Sequence, residues 1–163
     1  DAAVAALWTE ARLTPDNHAY LEGLPFTAVW RGMLAVHASP AQPEEWRYVL
    51  SPRDAEEEMN AYREDVCLIG HSHYPGAFEW DAQRVRYTRD PEVRLEPGRR
   101  YLVNVGSVGQ PRDGDPRAAY LVVDEERHCL NHVRLDYDIV GAMQRITEAG
   151  LPPFLAERLR WGE

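Results

Sequence analysis

Leu68-Ile-Gly-His-Ser-His-Tyr-Pro75 is the stretch on which the reading of this chain turns. An apolar run ends at Gly70, and two histidines come next with one residue between them. In extended backbone, residues i and i+2 point the same way, so a strand ending here delivers two imidazoles together. Such a pair can ligate one metal ion, or two ions held roughly 3.5–4 Å apart. Gly70 is expected to supply a sharp turn and Pro75 to restrict the backbone beyond it. Met33-Leu-Ala-Val-His-Ala-Ser39 sets His37 at the end of a second apolar run, as a third nitrogen donor. The bland alternatives are a pair of histidines at the edge of a core and, for His37, a hydrogen-bonded structural histidine. Three strand-end histidines predict a metal site, and a metal site predicts hydrolytic chemistry. Imidazole suits Zn, Fe, Ni or Cu, whereas Mn and Mg want carboxylates and water. Most of the carboxylates such a centre needs are not evident.

A third feature is Tyr101-Leu-Val-Asn-Val-Gly-Ser-Val-Gly-Gln-Pro-Arg-Asp-Gly-Asp-Pro116. A strand runs into a loop containing Gly106, Gly109 and Gly114. Loops of this kind turn backbone N–H groups toward a phosphate or a ligand histidine. Asn104 and Ser107 add polar contacts, and Arg112 or Arg117 can meet an anion bidentately. The alternative is a long structural turn. Asp16-Asn17-His18 has the Asp-x-His spacing of a metal motif but falls inside a predicted helix, and Asp113-Gly-Asp115 reads as an ordinary turn. His128 and His132 flank a hairpin strand and read as structural, and Glu56-Glu-Glu58 as a solvated helix face. Tyr74, Phe78, Trp46 and Trp80 are candidates for stacking on a base, with local packing as the alternative.

The 163 residues suffice for one domain, 1–163, with a real core, and the hydrophobic fraction of 44% is that of a globular protein. No apolar run has membrane-spanning length and no signal-peptide pattern appears. The chain begins with Asp1 rather than Met, so the expectation is that sequence precedes it. A net charge of −9 argues against a general nucleic-acid surface, yet leaves room for a small anionic substrate beside a metal. All 18 basic residues are Arg, which reads as genomic base composition. Cys67 and Cys129, in separate strand-like runs, read as buried free thiols of a reducing cytosol.

Helices are expected over 2–12, from Pro15 after the Thr14 cap to about Gly23, from the Ser51 cap to about Arg63, and over 139–149. Strands are expected at 26–30 and 33–37 as a tight hairpin, 66–69, 78–80 with 84–87, 101–105, 118–123 and 129–135. That order predicts an α/β or α+β layered domain.

Together the motifs resemble those of the calcineurin-like metallophosphoesterase superfamily, most closely its bacterial branch of small phosphodiesterases and diadenosine-tetraphosphatase-like proteins. Val36-His37-Ala38-Ser39 resembles the family's strand-end His motif, and Gly70-His71-Ser72-His73 its Gly-His-Thr-His motif. Asn104-Val-Gly-Ser-Val-Gly-Gln-Pro-Arg-Asp-Gly114, with Ala119-Tyr120, resembles the branch's Asn-Pro-Gly-Ser-Val-Gly-Gln-Pro-Arg stretch. Ser72 stands for the usual Thr and Val105 for the usual Pro. The resemblance covers most of residues 1–137. It implies a four-layer αββα sandwich with two divalent metal ions at strand ends, Mn first and Fe, Zn, Ni or Mg as alternatives. By resemblance His37 and His71 bind one metal and His73 the other. Asn104, Gly106, Ser107 and Arg112 contact phosphate or support the ligands, and a metal-bridging hydroxide attacks phosphorus. The family's Asp-x-His, bridging Asp and Gly-Asn-His motifs precede the matched region and are not in this chain. The first strands, the bridging carboxylate and the catalytic acid are therefore expected upstream. The implied activity is hydrolysis of phosphodiester or nucleotide polyphosphate bonds in the cytoplasm, on small phosphate esters or nucleotides rather than long nucleic acid or membranes. The alternatives are a catalytically silent scaffold of the same fold and a simple phosphate-binding module.

Overall fold

The computed structural model describes residues 2–163. Two short helices, α1 (Ala2–Glu10) and α2 (Pro15–Glu22), precede a hairpin of β1 (Thr27–Trp30) and β2 (Met33–Val36). Next come α3 (Pro52–Met59), β3 (Val66–Ile69), β4 (Gly76–Trp80), β5 (Val85–Thr88), β6 (Glu92–Arg94), β7 (Arg100–Asn104), β8 (Ala118–Asp124), β9 (Cys129–Leu135), α4 (Ile139–Glu148) and α5 (Pro153–Trp161). Thr14 caps α2, accepting from the Asn17 N–H, and Pro15 occupies its first turn as anticipated. The β1–β2 turn takes left-handed backbone at Arg31 and Gly32, φ 49° and 75°, the geometry of a two-residue hairpin.

The strands form a six-stranded sheet, order β1-β2-β3-β7-β4-β5, and a three-stranded sheet, order β6-β9-β8. Within the larger sheet β2, β3 and β7 are parallel neighbours, and antiparallel pairs flank them. Alternation along these strands divides the core in two. Leu34, Val36, Cys67, Ile69, Phe78 and Leu102 pack with Ala55, Met59 and Tyr62 of α3 and the loop after it. Met33, Val66, Ala77, Tyr101 and Val103 pack with Val93 and Leu130 of the smaller sheet. The layering is therefore helix, sheet, sheet, with α4 and α5 packed chiefly on one another. This is the mixed α/β class expected from the order of elements. Cys67 and Cys129 are buried free thiols on different sheets.

Three expectations need correction. Helix α3 stops at Met59 rather than about Arg63. Arg100 takes the carbonyl of the helix's last residue and two beyond it, its guanidinium donating to Met59 O at 2.6 Å, Tyr62 O at 2.5 Å and Glu64 O at 3.3 Å. Glu58, read as solvated, is buried and accepts from Ser39 Oγ at 2.9 Å and from the Ala41 N–H at 2.8 Å. Pro153, read as part of a stop, also opens α5, in the first-turn position where a missing N–H costs nothing. Among the described residues no helix is long and apolar enough to cross a membrane.

Candidate functional site

The parallel arrangement makes β2, β3 and β7 end side by side. His37 comes directly after β2, His71 and His73 lie just beyond β3, and Asn104 is the last residue of β7. The ladder continues one step past the strands: the Gly70 N–H donates to His37 O at 2.9 Å and the Val105 N–H to Ile69 O at 2.9 Å. The turn after β3 is not made at Gly70. The histidines themselves take left-handed backbone, φ 61° at His71 and 63° at His73. For residues with a Cβ this conformation costs on the order of 1–2 kcal/mol each, so the surroundings must hold it.

Asn104 supplies that hold. Its side-chain amide donates to Gly70 O at 2.6 Å and to Ser72 Oγ at 2.8 Å, and its carbonyl oxygen accepts from the Gly106 N–H at 3.0 Å. All three contacts are internal, so Asn104 and Gly106 build the loop rather than present free groups. Gly106 has φ +85°, and a Cβ there would stand 2.6 Å from Ala119 Cβ, so only glycine fits. Ser107 Oγ accepts from the Gln110 N–H at 2.9 Å, likewise within the loop. Behind Asn104, His132 donates its Nε2–H to Asn104 O at 2.8 Å. The sequence reads His132 as structural, and nothing local signals its contact with the loop.

His37 and His71 come together, with ring centroids 5.4 Å apart. Trp46 lies 5.4 Å from His37 and 5.9 Å from His71, and Tyr48 stacks on His71 at 4.2 Å. His73 donates Nδ1–H to Gln110 O at 2.6 Å. That bond fixes the tautomer and leaves the Nε2 lone pair free. Gln110 also accepts from Arg112 through its side chain, at 2.9 Å, which places a guanidinium beside the histidine loop. Both His71 and His73 are held below the ordinary imidazole value. Burial is the main cause, reinforced by nearby positive charge including Arg112, and opposed at His71 by the Trp46 backbone and at His73 by the bond to Gln110. Both rings are thus poised as neutral donors at neutral pH, the form a metal requires.

The donor set fits the nitrogen side of a metal centre. It goes no further: among the described residues, no group of three or more His, Cys, Asp or Glu side chains is arranged to hold an ion. Residues of the discounted motifs are engaged elsewhere. His18 of the Asp16-Asn17-His18 segment pairs with Glu22 on α2 at 3.4 Å. Asp113, its side chain 1% exposed, pairs with Arg89 at 2.6 Å and with Arg134, and Asp115 pairs with Arg117 at 2.6 Å. The C-terminus of α5 closes on the same loop, where the Gly114 N–H donates to Gly162 O at 3.0 Å.

The chain is 34% identical over 164 residues to an uncharacterized protein of Methanocaldococcus jannaschii, a match covering 98% of this chain and 65% of that relative. Its structure matches the crystal structure of a metallophosphoesterase from Sphaerobacter thermophilus with a TM-score of 0.89 at 34% identity, covering 98% of this chain and 66% of that one. A hypothetical protein of Pyrococcus horikoshii matches with a TM-score of 0.69 at 20% identity, over 91% of this chain and 55% of that one, a likeness of fold alone. No family model matches the chain. The chain thus spans just under two thirds of the length of the first relatives it matches, and over that span its fold is a metallophosphoesterase fold.

Proposed function

We propose that this chain carries the histidine side of the active centre of a calcineurin-like metallophosphoesterase, which hydrolyses phosphodiester or nucleotide polyphosphate bonds of small substrates in the cytoplasm. The observation that carries the reading is the convergence of His37 and His71 at the ends of adjacent parallel strands, with His73 held by Gln110 beside them. The likeness to the Sphaerobacter enzyme supports it. Divalent ions bound there, Mn foremost, would supply an activated water and neutralise charge on the phosphoryl oxygens. The residues of this chain do the rest. His37, His71 and His73 offer nitrogen donors, and Asn104 keeps the strained His71-Ser72-His73 turn in place. Arg112, tethered to Gln110, adds positive charge for an anionic substrate.

The test is turnover of bis-p-nitrophenyl phosphate with added Mn by the full-length gene product. Replacing His71 with Ala is expected to lower kcat/KM by at least ~100-fold. Equal rates for the two proteins, or no rate in the unaltered one, would sink the reading. Residues 1–163 alone are expected to turn over nothing.

The alternative reading is a catalytically silent scaffold of the same fold, which keeps the histidines without a working two-metal centre. Calorimetric titration of the full-length protein with Mn separates the two, because a scaffold of this kind has no specific site to saturate.

A further inference from the structure

We propose that the cavity beside the histidine loop is a specificity pocket for the base of a nucleotide-type phosphate ester. This rests on the phosphoesterase reading, and names the group that the substrate carries next to its phosphate. The cavity holds about 380 Å³, and its lining includes Ser72, Tyr74, Phe78, Tyr87, Arg89 and Asn104. That volume falls within the ~300–1,000 Å³ of small-molecule sites.

Its position ties it to the chemistry. Ser72 lies between His71 and His73, Tyr74 comes directly after His73, and Asn104 anchors the turn that carries both. The cavity therefore borders the loop that carries His71 and His73.

Its lining fits a flat aromatic group. Phe78 is buried and forms part of the core, and Tyr87 lies against it with ring centroids 4.8 Å apart. Tyr87 and Tyr74 are 40% and 45% exposed, so both keep open ring surface. Tyr87 can lie where it does because residue 76 is glycine: a Cβ there would stand 2.5 Å from Tyr87 Oη. The polar complement is sparse and directional. Ser72 is buried and accepts hydrogen bonds from Asn104 at 2.8 Å and from the Tyr74 N–H at 3.4 Å. Its own hydroxyl proton has no acceptor among the described residues, which leaves one donor for a ring nitrogen or carbonyl. Arg89 adds a guanidinium held by the buried Asp113 carboxylate at 2.6 Å. An apolar slot with aromatic faces, a few hydroxyls and one cation suits a heteroaromatic base linked to a phosphate better than an alkyl chain.

The experiment is calorimetric titration of the full-length protein, with Mn present, using AMP, GMP, CMP and UMP against ribose 5-phosphate. At least one nucleotide is expected to bind about tenfold more tightly than ribose 5-phosphate. Tyr87→Leu, a change at a part-exposed position on an edge strand, should remove most of that difference while leaving ribose 5-phosphate affinity unchanged. Tyr74→Ser, with circular dichroism to show that it folds, should reduce it as well. Nucleotides that bind no better than ribose 5-phosphate, or a preference that survives both substitutions, overturn the proposal, as does no detectable nucleotide binding at millimolar concentration. Base-selective binding without turnover of any ester would support the pocket and overturn the hydrolase reading alone. Turnover with base-blind binding would do the reverse.

Discussion

At the scale of single residues, His71, His73 and His132 share one property: all three are held below the ordinary imidazole value, chiefly by burial. The unfolded chain therefore takes up protons before the folded chain does. Stability tied to these neutral rings is complete above the ordinary value of 6.5 and is lost as pH falls from there through the lowered folded values. His132 tests this without touching a candidate ligand. Glutamine can keep the donor to Asn104 O but cannot titrate, so His132→Gln should flatten the fall in Tm between about pH 7.5 and about pH 5. An unchanged slope would show that other groups govern the acid limb. Gly106→Ala should cost about 2–4 kcal/mol in denaturant unfolding, because it meets both a left-handed φ and the Ala119 methyl. The positions of His37, His71 and His73 are legible in the sequence, because each lies just past an apolar β-branched run that ends abruptly. Their backbone is not. Composition points to Gly70 for the turn, whereas His71 and His73 carry it, held from a strand distant in sequence by Asn104.

At the scale of elements, the strands of the larger sheet are readable because alternation and tight turns are local signals. The end of α3 is not, because Arg100 on β7 decides it by capturing carbonyls after the helix and lying over Tyr62, 4.5 Å from the ring centre. Arg100→Leu should therefore destabilise the protein by about 2–3 kcal/mol, and Arg100→Lys should recover only part, since an ammonium cannot fork between several carbonyls. Urea unfolding midpoints of the two variants would check this, and full recovery by lysine would mean that charge alone suffices. Strand β6 is only three residues among Arg, Glu and Pro, and it is fixed by pairing with β9 rather than by its own propensity. Helix α5 is hidden by Pro152-Pro153, which carries a stop and a start in one dipeptide.

At the scale of the whole molecule, apolar surface is unevenly distributed. Strand β1 is an edge with all four residues exposed, Val29 at 62% and Trp30 at 55%. Next to it a groove of about 920 Å³, lined by Leu21, Leu24, Phe26, Trp46 and Leu68, runs up to His37. An exposed edge beside apolar surface is a template for pairing with another chain. Residues 1–163 should therefore sediment above the 18.7 kDa monomer at micromolar concentration, and Val29→Lys should shift them toward it. A strictly monomeric wild type would contradict this.

The side-by-side endings of β2, β3 and β7 also bear on the order of events as the chain folds. Those strands are adjacent in space but far apart in sequence, and each crossover must close before the next imidazole or Asn104 arrives. A partly folded chain with only the β2–β3 crossover formed has its histidines at neighbouring strand ends but lacks Asn104, which holds the His71-Ser72-His73 turn. Ligand binding at these histidines is thus a readout of completed topology, and a ligand added during refolding captures molecules only after the slowest closure.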